Sequence, residues 1–128
     1  MDIVSALFTE NIELRPVPGP STRIDLTGIM FSLAAPSDPP VTIAPHLVVL
    51  IRCRPDEDGQ GVLEVVFNDE AGEQVARNVS PFSVEPGKFT YRLVRGELTY
   101  EKLGTIEAHC RVGQGPWTVV PLTLLPPV

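Results

Sequence analysis

No apolar run in the sequence approaches the roughly 20 residues that a membrane-crossing helix requires, and the longest, Leu47 to Ile51, has the length of a buried strand. A spanning helix is excluded. Positive charge is scarce as well: 10 Lys and Arg stand against 16 Asp and Glu, for a net charge of −6. The densest basic pair, Arg52 and Arg54, runs at once into Asp56, Glu57 and Asp58, which cancel its field. A polyanion meets repulsion from such a chain, so nucleic acid is not an expected partner. The N-terminus carries Asp2 where a signal peptide needs positive charge, and Glu10 breaks its apolar stretch. The expected location is the cytoplasm.

Reactive residues are equally sparse. The two histidines, His46 and His109, are not spaced with a cysteine or carboxylate as a zinc site demands. His109 adjoins Cys110, but neighbours on a strand point to opposite faces and form no Cys-His dyad. No serine lies in a G-x-S-x-G elbow, and Gly87-Lys88 lacks both the earlier glycine and the following Ser or Thr of a phosphate-cradling loop. The run Asp56 to Gly61 starts like a calcium loop, yet Phe67 stands where the closing bidentate Glu is required. It reads as an acidic turn. Asn78-Val79-Ser80 matches the glycosylation triplet but is followed by Pro81. No catalytic, cofactor-binding or metal-binding residue is assigned, and no cofactor is implied. An enzyme of unrecognised type, working through Asp or Glu, is a further alternative.

What the chain has in quantity is turn material. Fourteen prolines and ten glycines punctuate it too closely for any long helical pattern to survive. Between them lie about eight strands, the number such spacing allows: Asp2 to Thr9, Ile24 to Leu33, His46 to Arg54, Val62 to Asn68, Gln74 to Arg77, Phe89 to Arg95, Thr105 to Val112 and Trp117 to Leu124. Leu47, Val49, Ile51 and Cys53 alternate with Arg52 and Arg54; Ile106, Ala108, Cys110 and Val112 alternate with Glu107, His109 and Arg111. One buried face and one wet face per strand is the mark of antiparallel sheets. In the second strand Ile24 and Leu26 have one parity and Ile29, Phe31 and Leu33 the other, so a bulge near Thr27 and Gly28 is expected to return all five to the core. Hairpins are expected at Asp69 to Glu73 and Gly113 to Pro116, and proline-rich extended loops at Arg15 to Ser21 and Ala35 to Pro45.

The expected fold is all-β, a two-sheet antiparallel β-sandwich of immunoglobulin-like or jelly-roll-like type, with residues 1–128 forming a single domain. Cys53 and Cys110 occupy core-facing positions on separate strands, where an immunoglobulin-like disulfide would sit. Trp117 follows both cysteines instead of lying between them, and a cytoplasmic protein keeps thiols reduced, so both read as buried free thiols.

The large apolar groups on supposedly wet faces carry the functional reading. Val48 and Leu50 share parity with Arg52, and Trp117 shares parity with Val119; together with Arg54 these six form the candidate interaction surface. A protein partner, either another protein or a second copy, is expected, and no membrane. The leading function is a noncatalytic interaction or accessory module. The alternative is a small-ligand binder lined by Trp117, Tyr91 and Tyr100.

The N-terminal strand, the Gly28-containing strand, Leu47-Val48-Val49-Leu50-Ile51-Arg52 leading into Pro55 to Asp58, the Asp69 to Gly72 turn and the closing hairpin before Val119 resemble a family of small uncharacterised bacterial all-β proteins. The proline-rich insert from Arg15 to Ser21 departs from that pattern. The resemblance implies the sandwich fold and, by itself, no activity.

Overall fold

A computed structural model describes residues 1–19 and 21–128, with Thr22 described by its backbone. Among these residues there are eleven strands and no helix. In chain order they are β1 (Asp2–Pro16), β2 (Thr22–Met30), β3 (Ser32–Ala34), β4 (Val41–Ile43), β5 (His46–Arg52), β6 (Gln60–Asn68), β7 (Gln74–Ser83), β8 (Phe89–Arg95), β9 (Leu98–Tyr100), β10 (Gly104–Val112) and β11 (Thr118–Leu125).

The strands form a four-stranded sheet of order β2-β1-β5-β8, a five-stranded sheet of order β3-β11-β10-β6-β7, and a small β4-β9 pair. All pairings are antiparallel except β3 with β11. Alternation fixes which face of each strand is dry. Leu47, Val49 and Ile51 of β5 join Phe8 of β1, Leu63, Val65 and Phe67 of β6, Ile106, Ala108 and Cys110 of β10, and Leu122 and Leu124 of β11 in one hydrophobic cluster. Burying a Leu or Phe of this kind stabilises by about 1.5–3 kcal/mol before entropic costs, which makes this shared cluster the dominant cohesive element. The β4-β9 pair belongs to it through Val41, Leu98 and Tyr100, and the Tyr100 hydroxyl donates to the Leu122 carbonyl at 2.7 Å.

Several expectations need correction. The count is eleven strands rather than eight, because three-residue strands occupy stretches read as loop or as part of longer strands. β4 lies inside the proline-rich Ala35 to Pro45 stretch. β1 continues to Pro16, beyond Thr9, and β7 continues through Pro81 to Ser83. The expected Arg15 to Ser21 loop therefore begins only after Pro16, and Pro20 within it lies outside the described residues.

The expected bulge near Gly28 is also absent: Thr9 pairs with Ile29 and Asn11 with Thr27, an unbroken register across that glycine. Plain alternation continues through Gly28, so Met30 reaches the core while Ile29 and Phe31 are left 48% and 65% exposed. The break comes one step later. At Phe31 the chain leaves the four-stranded sheet and enters the five-stranded one as β3, and the Phe31 carbonyl accepts from Thr123 N at 2.9 Å. Register does shift elsewhere, between Ile3 and Ser5 in β1 and between Phe67 and Asn68 in β6.

Gly59 holds the acidic turn before β6. It has φ +82°, and an added Cβ would lie 2.1 Å from the Val84 carbonyl oxygen, a backbone atom that is itself tied down because Val84 N donates to Gly59 O at 2.8 Å. Gly59→Ala combines a left-handed backbone penalty with a rigid clash, and is expected to lower unfolding stability by about 2 kcal/mol or more. Urea unfolding at neutral pH measures this; a midpoint equal to that of the wild type would contradict the role given to the turn.

Candidate functional site

In β5 the even-numbered residues His46, Val48, Leu50 and Arg52 point away from the cluster. Register extends that face onto both neighbouring strands. Val48 lies between Leu7 of β1 and Leu93 of β8, and Leu50 between Ser5 and Tyr91. Arg52 lies between Asp2 and Phe89. The result is a continuous apolar face, with Leu93 47% and Phe89 63% exposed. Val48, one of the six predicted residues, is itself only 1% exposed. The larger cross-strand side chains beside this short one take the surface instead.

β8 is the outermost strand of its sheet. Cys53 N donates to the Lys88 carbonyl at 2.9 Å, which sets the phase of the β5–β8 ladder. Alternate residues in an antiparallel pair turn their backbone groups toward and away from the partner. On this phase Thr90, Arg92 and Val94 face β5, while the amides and carbonyls of Phe89, Tyr91, Leu93 and Arg95 face outward. The residues whose side chains build the apolar face thus also offer the open hydrogen-bonding edge. Arg52 and Arg95 border it on the same face, neither in an ion pair among the described residues. Arg92 has the core-facing parity opposite Val49, and its Nε is buried without a hydrogen-bond partner among the described residues.

Arg54 stands beside this face but is engaged. It holds Asp2 through Nε to Oδ2 at 3.0 Å and Nη2 to Oδ1 at 3.3 Å. Hydrogen bonding from this guanidinium keeps the Asp2 carboxyl below its usual range. Both side chains are well exposed, so solvent screening leaves the pair a minor contributor to stability.

Val119 of β11 and Trp117, the residue just before that strand, lie by the other sheet on its non-core side. There Glu64 accepts from Arg77 at 2.8 Å and from Arg111 at 2.9 Å, and these two cations hold its carboxyl below the usual range. The Arg111 guanidinium carbon sits 4.2 Å from the centre of the Trp117 ring, with the His109 ring edge-on to the indole. Val119 pairs with His109. The six predicted residues are therefore divided between two sheets: Val48, Leu50, Arg52 and Arg54 come together, and Trp117 and Val119 form a separate arginine-supported patch. Sequence reasoning missed Leu7, Phe89 and Leu93. The signal available for β8 was that both parities of Phe-Thr-Tyr-Arg-Leu-Val-Arg carry apolar groups, too many for one core-facing side.

No protein-family model matches the chain, and no curated protein matches it.

The remaining sequence candidates resolve into structural roles. In the acidic turn Glu57 binds the N-terminal amine and accepts from Arg54 N at 2.9 Å, and Asp58 accepts from Gln60 N at 2.9 Å. Among the described residues no group of three or more His, Cys, Asp or Glu is placed to hold a metal ion. Tyr91, Tyr100 and Trp117 do not meet: Tyr91 is on the β8 face, Trp117 by the other sheet, and Tyr100 is buried. Tyr100 does border a cleft of about 460 Å³ lined by Glu70, Glu73, Val75, Leu103 and Ile106. Glu70 there accepts from Thr105 N at 2.7 Å.

Cys53 and Cys110 are both buried free thiols. Burial pushes the Cys110 thiol from 9.0 up to about 12, and burial likewise raises the Tyr100 phenol. Below about pH 9 both groups are protonated in the folded and unfolded chain alike and add no pH dependence. As pH rises from 9.0 toward about 12, the unfolded chain releases the Cys110 proton while the folded chain keeps it, so stability falls. The slope is at most about 1.4 kcal/mol per pH unit for each group. Urea unfolding from about pH 8 to 11 is expected to show this loss, with a shallower slope for Cys110→Ala; a flat profile would contradict it.

Proposed function

We propose that this chain is a noncatalytic interaction or accessory module whose working surface is the non-core face of β1, β5 and β8. The observation that carries this reading is the contiguous set Leu7, Leu50, Tyr91, Leu93 and Phe89 around the buried Val48, apolar, partly exposed and placed on the side of the sheet that the core does not use. Exposed apolar area of this kind is retained at a cost in solubility and marks partner sites. The accompanying scaffold reading is a two-sheet β-sandwich, supported by both larger sheets lending alternate side chains to one cluster. The likeness to small bacterial all-β proteins and a cytoplasmic location belong to the same proposal.

The chemistry of the face describes its partner. Arg52 and Arg95, neither in an ion pair among the described residues, give a chain of net charge −6 a locally cationic border, and the outward backbone groups of β8 can accept an extended segment as an added strand. An extended protein segment with apolar side chains flanked by carboxylates meets all three features. A second reading, a small-ligand binder, is favoured by the cleft of about 460 Å³ beside Tyr100.

The double variant Phe89→Ser with Leu93→Ser tests the first reading. Both side chains are exposed and outside the core cluster, so unfolding stability is expected to stay within about 1 kcal/mol of the wild type. Proteins captured from the native cell by the wild-type chain should be lost by this variant and kept by Trp117→Ser. Identical capture by all three would overturn the assignment of the face, and a ligand that stabilises the wild type but not Leu103→Arg would favour the cleft instead.

A further inference from the structure

The β1-β2 ribbon outruns its sheet. β5 accompanies β1 only as far as the Thr9–His46 pair, whereas β1 and β2 continue pairing from Asn11–Thr27 to Pro16–Thr22. The projecting part is amphipathic. Ile12 pairs with Leu26 and Leu14 with Ile24 on one face, and none of the four belongs to the core cluster or packs against it.

The opposite face carries an unusual charge arrangement. Glu13 lies directly opposite Asp25, and Arg15 directly opposite Arg23. Like charges facing across a strand pair oppose the pairing. The diagonal Arg15–Asp25 contact at 2.8 Å offsets part of this, while Arg23 has no ion pair among the described residues.

β2 is a free edge, and the four edges of the two larger sheets are not equivalent. β7 contains Pro81, β3 has three residues, and β8 bears only cations, Arg92 and Arg95, among its charged side chains. Proline, shortness and charge of one sign all discourage an edge from pairing with its own copy. β2 has none of these. Its charged residues have both signs and lie two apart.

From these observations we propose that the chain self-associates through β2, pairing antiparallel with β2 of a second copy about a two-fold axis at Ile24. That axis places Arg23 of each copy opposite Asp25 of the other. Moving it to residue 23 or 25 sets Arg23 against Arg23 or Asp25 against Asp25, so charge selects the register. Across the four adjoining strands each polar row then reads Glu13, Asp25, Arg23, Arg15, with the last two from the second copy. The like-charged pairs inside each copy gain opposite neighbours across the junction. On the other face Leu14 and Ile24 of one copy continue into Ile24 and Leu14 of the next. The junction is isologous and closed, so it yields a dimer and no fibre.

Light scattering coupled to size exclusion, run through the micromolar range, tests this. The wild-type mass is expected to rise from 13.9 kDa toward twice that value with concentration. Arg23→Asp and Asp25→Arg each set like charges across the junction and should weaken association by about tenfold or more. The double reversal restores opposite charges and should restore the mass, which a merely structural effect of either change would not do. Ile24→Lys should abolish association, and Phe89→Ser with Leu93→Ser should leave it intact, which separates this inference from the β8 reading. A wild-type mass fixed at 13.9 kDa throughout the soluble range, or a double reversal no better than its parents, would overturn the proposal.

Discussion

A strand has two faces, and in this chain a single hydrophobic cluster can take only one of them. Phe8, Leu47 and Ile51 enter from the four-stranded sheet, Phe67, Cys110 and Leu122 from the five-stranded sheet, and Tyr100 from the β4-β9 pair. Everything else in the molecule follows from that allocation. The cysteines become buried free thiols, the acidic turn becomes a tether for the N-terminus, and the apolar groups left over become surface. In β5 the excess is plainest, because Val48 and Leu50 lie on the side where alternation otherwise places His46 and Arg52.

The parts of the fold legible in the sequence were those governed by local alternation. β5, β6 and β10 follow their period-two patterns closely, and the turn glycines Gly72 and Gly113 sit with positive φ where hairpins were expected. The parts that were not legible depend on contacts distant in sequence. Ile29 and Phe31 looked like core residues because they are large and apolar, but Phe31 marks the passage between two sheets, and no local signal says which sheet a strand will join. The short β3, β4 and β9 exist only because β11 and one another complete their ladders.

The candidate site divides in the same way. Parity alone singled out Val48, Leu50 and Arg52, and these do share a face. Parity could not show that Trp117 and Val119 lie by the other sheet, or that Leu93 and Phe89 complete the face begun by Val48 and Arg52, because the Val48–Leu93 and Arg52–Phe89 pairings join residues far apart in the chain. Edges, like faces, are a property of the assembled sheet. β8, with outward backbone groups and a cationic border, suits a foreign acidic strand, whereas β2, with both signs of charge, suits its own copy.

β8 combines an open edge with an apolar face that the core does not use. Residue-resolved amide hydrogen exchange on the isolated chain tests this directly. An open edge gives an alternating pattern along β8, with slow exchange at Thr90, Arg92 and Val94 and fast exchange at Phe89, Tyr91, Leu93 and Arg95. Uniform protection of Phe89 to Arg95 would show that the edge is already covered and would contradict it.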